Sequence, residues 1–298
     1  MSLKTLLLTT RPPFLLLTPV CVFLGVSTVI ASGGTLNNGL LALVLVGALL
    51  AHISVNVLNE YFDFRSGLDL KTKSTPFSGG SKALPKQPEM VRFVLVLGIL
   101  SLIATILIGL YLVMLIGIQL VIIGLIGILL VITYTSWLNK NPVLCLVAPG
   151  LGFGLMVIGT SLVLRGQIVT ADWLAAGVVF FLVNNLLLLN QFPDITADSE
   201  SGRRHLPIVM GTTISSFVYA LFALAGMAII IVGNTLGMFP KPALIALAPL
   251  LLAVFAFRGA EKYGILLGQH PEYLAANVVA TLLIPLLLGL ALLFASHG

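Results

Sequence analysis

Nine apolar runs, each about as long as a bilayer's hydrocarbon layer requires of a helix, constrain this chain more than any other feature. A helix needs about 20 residues to cross. The runs fall near residues 14–31, 36–59, 93–112, 115–134, 143–164, 171–190, 208–232, 242–257 and 274–295. None alternates with the two-residue period of a membrane barrel strand, and backbone groups in hydrocarbon must be paired within the protein, so helices are the expected way across. Composition agrees: 59% of the residues are hydrophobic and 8% charged, against roughly 25% charged in a soluble domain. The expected fold class is an all-α polytopic membrane bundle of about nine transmembrane helices, with residues 1–298 forming a single domain. The first run exceeds the apolar core of a signal peptide and has no A-x-A-like cleavage site, so it reads as a retained span. Cys21 and Cys145 lie in apolar surroundings without a CxxC or histidine partner and read as buried small hydrophobes.

Charge supports the count. With nine crossings, the N-terminus and the loops after spans two, four, six and eight share one side, and they hold all of the 15 Lys and Arg except Arg165 and Lys241. The positive-inside rule places that side in the cytoplasm. The expected location is a bacterial or archaeal cell membrane. Membrane lipids are expected partners and nucleic acid is not.

Two polar stretches interrupt the oil. The first, NVLNEYFDFRSGLD, runs from Asn56 to Asp69, with Asn56, Asn59, Glu60 and Asp63 at helical spacings that suggest one face. It opens a polar connection reaching Arg92, too long to be idle. The second, NQFPDITADSESGRRHLP, runs from Asn190 to Pro207. Asn59 to Asp63 aligns with Asn190 to Asp194 as N-[EQ]-x-x-D, and Gly80 to Pro85 aligns with Gly202 to Pro207 as G-x-[KR]-x-L-P. Four spans separate the copies, so both arrive with the same orientation, as in a parallel repeat. Asn184, Asn185 and Asn190 should face protein or a cavity, because lipid would leave their amides unpaired. Gly117, Gly124 and Gly127 offer small sites for close helix contact.

Each copy therefore offers an amide, then carboxylates, then a base. Asp63, Asp69, Asp194 and Asp198 supply hard oxygens that suit Mg²⁺, a cation commonly held by one or two carboxylates plus phosphate oxygens and water. Lys82, Arg203 and Arg204 would meet the remaining phosphate charge. Of these, the aligned Lys82 and Arg204 are the first choice. An anionic diphosphate uses both parts, and the apolar bundle behind it invites an isoprenoid tail. Polyprenyl diphosphate combines the two, and Mg²⁺ with basic residues would stabilise the departing diphosphate.

These motifs resemble the two aspartate-rich motifs of the UbiA-type intramembrane aromatic prenyltransferases. NEYFDFRSGLD with DITADSESGRR is most similar to the menaquinone-pathway branch, the 1,4-dihydroxy-2-naphthoate polyprenyltransferases. The resemblance implies two Mg²⁺ ions, a polyprenyl diphosphate donor and an aromatic, quinone-precursor acceptor. On that reading Asp63, Asp69, Asp194 and Asp198 are catalytic metal ligands, with Glu60 beside them, and Asn59, Lys82, Asn190, Arg203 and Arg204 bind the diphosphate. Glu60 and Gln191 depart from the branch pattern but keep an oxygen.

Blander readings compete. Loop carboxylates can be solvated charges at helix ends, asparagines can join helices, and loop bases can serve topology alone. Tyr61 and Tyr134 read first as interfacial anchors, and His205 and His270 as solvated or capping groups. The alternative function is an ion-coupled transporter or channel. It explains less well why the acids gather at span ends beside bases. A phosphoryl-alcohol transferase would carry a DG-x₂-AR stretch that this sequence lacks.

Overall fold

The computed structural model describes residues 2–295, and all regular structure among them is helical. The principal helices are α1 (Leu17–Ala31), α2 (Asn38–Arg65), α3 (Val91–Ile116), α4 (Gln119–Thr133), α5 (Pro142–Arg165), α6 (Thr170–Asn190), α7 (Leu206–Thr235), α8 (Leu250–Tyr263) and α9 (Pro271–Ala295). Among the described residues, eight helical segments are long and apolar enough to cross a membrane. The expected fourth span is a shorter apolar helix, α4, of 15 residues. The expected eighth is composite: α8 lies between 3-10 turns at Lys241–Leu247 and Gly264–Gln269.

Local chemistry sets the ends. The Asn37 side chain accepts from the amides of Gly39 and Leu40 to start α2, and Asn141 does the same for Val143 and Leu144 at the start of α5, with Pro142 in the first turn. Gly117 and Gly166 stop α3 and α5 with positive φ. Helices α3 and α4 are apolar all round, and large side chains such as Leu107, Met114, Ile122 and Leu129 lie exposed on them, as lipid-facing surfaces do.

Helix α6 is the hub, packed against α5, α7, α9 and α1. Its buried asparagines face protein, as expected. Asn184 Oδ1 accepts from the Gly150 amide at 2.6 Å, beside Pro149 within α5. A Cβ on Gly150 would lie 2.2 Å from the Phe180 carbonyl, so only glycine permits this approach. Asn185 donates to the Tyr219 carbonyl at 2.9 Å, the Tyr219 hydroxyl donates to Asn277 Oδ1, and Asn277 donates back to the Asn185 carbonyl. Polar side chains thus join α6, α7 and α9 where apolar contact alone has little driving force in lipid. Both cysteines are buried and free. Helices α2 to α4 pack less deeply with this hub, and the main cavity opens between them and α5.

Candidate active site

The two polar stretches meet at one end of that cavity, whose volume is about 490 Å³. Asn59 and Asp63 reach its wall from the last turns of α2, one helical turn apart, and the Asn59 amide donates to Asp63 Oδ2 at 2.6 Å. Glu60 does not join them. A neighbour in sequence is rotated by about 100° on a helix, which turns its fully buried carboxylate to the N-terminal segment. There it pairs with Arg11 at 2.6 Å and accepts from the Ser81 amide at 2.9 Å. The shared face expected for Asn56, Asn59, Glu60 and Asp63 therefore holds for the other three only.

After α2, Gly67 at φ +78° turns the chain into a short helix, Leu68–Lys71, that carries Asp69 into the wall. The connection then folds back over the site. Gly79 and Gly80 both have positive φ, and a Cβ on Gly80 would lie 2.8 Å from Asp69 Oδ1 and 3.3 Å from Glu60 Oε1. Glycine lets the backbone lie against the carboxylates. The Gly79 amide donates to Asp194 Oδ2 at 2.9 Å, joining the first stretch to the second.

In the second stretch α6 delivers Asn190, and a turn places Asp194 before the helix Ile195–Glu200 that carries Asp198. Arg203 ties the copies together: one arm of its guanidinium pairs with Asp198 at 3.0 Å and the other with Asp63. His205 Nε2 meets the second Asp198 oxygen at 2.8 Å. An exposed pair, Lys71 and Glu200 at 3.1 Å, adds a third link between the stretches.

Asn59, Asp63, Asp69, Asn190, Asp194, Asp198 and Arg203 thus line one cavity. The first-choice bases do not. The Lys82 ammonium is held by the carbonyls of Asp69 and Thr72 at 2.6 and 2.8 Å, where it clamps the connection. Arg204 is exposed, and its backbone amide donates to the Asn139 carbonyl. Gln191 donates to Cys145 Sγ at 3.4 Å. Arg11, Asn139 and the Gly79 amide were not legible as site groups. Arg11 lies in an N-terminal segment with no acidic neighbour in sequence, Asn139 belongs to a short polar turn outside the repeated motifs, and a backbone donor leaves no sequence signal. Tyr134 does reach the cavity wall, whereas Tyr61 does not.

Electrostatics mark two of the carboxylates. Burial, then the nearby Glu60 and Asp63 charges, push Asp69 up to about 7. Burial, then Asp198, push Asp194 up to about 7 despite the Gly79 hydrogen bond. Asp69 Oδ2, Asp194 Oδ1 and Asn190 Oδ1 are buried without a partner among the described residues. These are hard oxygens short of positive charge, which fits a divalent cation. No three His, Cys, Asp or Glu side chains among the described residues converge as a ready-made cage, so a cation here would share its coordination with a ligand and water.

Away from this mouth the cavity is apolar, bounded by α2, α3, α4 and α5. Gly124 and Gly127 of α4 do not make the close helix contact expected of them. They line the cavity, and a Cβ on either would meet nothing within 4 Å.

No curated protein matches the chain in sequence. A solved structure described for digeranylgeranylglyceryl phosphate synthase in membranes is similar with a TM-score of 0.70 at 17% identity, over 98% of this chain and 99% of that one. A UbiA homologue from Archaeoglobus fulgidus bound to DMAPP and Mg²⁺ gives 0.68 at 15% identity, over 97% and 99%. The apo UbiA homologue from Aeropyrum pernix K1 gives 0.68 at 15%, over 91% and 95%. Identities this low speak to the fold. The sequence model of the UbiA prenyltransferase family matches residues 7–263, and the chain belongs to that family.

Proposed function

We propose that this integral membrane protein transfers a polyprenyl group from its diphosphate to an aromatic quinone precursor, as in the menaquinone branch that its motifs resemble. The observation that carries this reading is the union of two acidic motifs, bridged by Arg203, at the mouth of an apolar cavity. The unpartnered oxygens of Asp69, Asp194 and Asn190 suit Mg²⁺, which the Archaeoglobus relative binds together with DMAPP. When bound, Mg²⁺ would supply Lewis-acid charge to a departing diphosphate.

The chain's own groups divide the remaining work. Asp63, Asp69, Asp194 and Asp198 would hold the cation, Asn59 orients Asp63 by donating to its Oδ2, and the Asn59 and Asn190 amides would donate to phosphate oxygens. Arg203 neutralises Asp63 and Asp198 in the ligand-free site. Once those carboxylates have other positive charge, its forked donors become available to the diphosphate. Lys82 and Glu60 act one step back, by fixing the connection that carries Gly79 and Gly80. The apolar wall holds the isoprenoid tail and keeps water from the electrophilic allylic carbon. We place this mouth on the cytoplasmic side of a cell membrane, with α4 completing nine crossings in one domain, because that arrangement puts nearly all basic residues on one side.

The test uses purified protein, Mg²⁺, isoprenyl diphosphates of several lengths and a panel of hydroxylated aromatic acids. Diphosphate release coupled to a prenylated ring is expected. Absence of release with every pair, together with ion flux in liposomes, would replace the transferase with a transporter.

A further inference from the structure

His52 is a titratable side chain that the site described above does not use. It lies on α2 in the middle of the apolar wall, 6% exposed, and its ring lines the cavity. Ionisable side chains at such depth are rare and are usually retained for function. Its Nδ1 is engaged, 2.8 Å from the hydroxyl of Thr18 on α1, and its ring meets Phe153 of α5 edge to face with centroids 5.0 Å apart. Its Nε2 makes no hydrogen bond among the described residues. The ring is thus fixed on one side and presents one nitrogen to the cavity.

Position along α2 suggests what that nitrogen meets. His52 follows the polar ladder of Asp63, Asn59 and Asn56 by one more helical turn, and all four line the cavity. From Asn59 to His52 is seven residues, about 10 Å along the axis. The reacting allylic carbon is bonded directly to the diphosphate, so it lies just inside the Asn59 level. One aromatic ring placed against it fills the distance to His52. The isoprenoid tail has room elsewhere, along the α3 and α4 wall where Gly109, Gly124 and Gly127 border open space.

We propose that His52 is the base for the transfer, its Nε2 taking the proton from the alkylated carbon of a hydroxylated aromatic acceptor. This rests on the transferase reading above. The carbon–oxygen bond to diphosphate breaks and its electron pair leaves with the diphosphate. A ring π pair forms the new carbon–carbon bond. The C–H pair at that carbon then restores the aromatic ring as the proton passes to Nε2. In the working tautomer Nδ1 carries hydrogen and donates to Thr18, which leaves the Nε2 lone pair facing the ring. The imidazolium resets by giving the proton to water that enters as diphosphate leaves.

The variant His52→Asn separates this role from a structural one, because its amide reproduces the Nδ1 contact with Thr18 and removes only the Nε2 position. With Mg²⁺, donor and acceptor supplied, transfer should fall by about a hundredfold or more. Diphosphate release should fall less, with prenyl alcohol accumulating. Deuterium on the reacting ring carbon should then slow transfer in the variant and not in the parent, since proton loss has become the slow step. Thr18→Val, which frees the ring to turn, should show a smaller loss and a smaller isotope effect. Transfer by His52→Asn at the parent rate, or a slowed variant without an isotope effect, overturns the assignment. Should His52→Asn not fold, the Thr18→Val isotope effect decides alone. A parent protein that releases no diphosphate with any acceptor instead overturns the transferase reading, a separable result.

Discussion

Two arginine–aspartate clusters lie at opposite ends of the bundle, and their contrast separates a site from a staple. At the closing turn of α5, Arg165 pairs with the fully buried Asp172 of α6 and donates to the Ser32 hydroxyl and the Gln167 carbonyl. Asp172 also accepts from the Val169 amide at 2.8 Å. At the other end Arg203 spans Asp63 and Asp198. Both clusters contain a buried carboxylate oxygen without a partner among the described residues, at Asp172 in one and at Asp69 and Asp194 in the other. An orphaned oxygen therefore does not make a site. The cavity does: Asp63, Asp69, Asp194 and Asp198 all border it, and neither Arg165 nor Asp172 does.

The sharpest break would come from removing one carboxylate from each motif at the cavity mouth. Asp63→Ala and Asp194→Ala should each lower prenyl transfer by about a thousandfold or more while membrane insertion persists, measured on purified protein. Normal activity in either would end the paired-motif account. Arg165→Met leaves Asp172 buried and unpaired, which should cost about 3–5 kcal/mol of stability. Its Tm should drop while the transfer rate per folded molecule stays unchanged.

Proton linkage distinguishes the ends more gently. Folded Asp69 and Asp194 hold protons up to about pH 7, whereas an unfolded chain releases them near 4. The folded state binds more protons between those limits, so stability of the metal-free protein should fall as pH rises through that window and level off above it. Mg²⁺ must displace those protons and should raise Tm more above pH 7 than at pH 5. Thermal melts with and without Mg²⁺ measure this. An equal Mg²⁺ effect at both pH values would count against these two carboxylates as ligands. The smallest expected effect concerns the cavity itself: Gly127→Leu should shorten the longest prenyl chain accepted and spare short donors, read by product mass.

Much of this was legible beforehand, because it depends on local chemistry. The helices follow from apolar runs in a solvent that cannot pair backbone groups, and the repeated N-[EQ]-x-x-D motif located the mouth. Misreadings concerned rotation and reach. Glu60 shares a motif with Asp63 but not a direction, and its charge is met by Arg11 of the N-terminal segment, 49 positions earlier. Lys82 and Arg204 align with each other, yet Arg203 makes the bridge, because the residue after it faces away from the cavity.

The sequence by itself determined an all-helical membrane protein with two matched acidic motifs at span ends. Hydrocarbon enforces the first, and residue type and spacing are enough for the second. Only the tertiary structure decided which donor meets which carboxylate, that Gly79 reaches Asp194 across 115 positions, that Gly124 borders a void rather than a neighbouring helix, and that His52, held by Thr18 and Phe153, borders the same void. Those outcomes depend on how each helix is turned against the next, and such turning is settled by packing over the whole bundle.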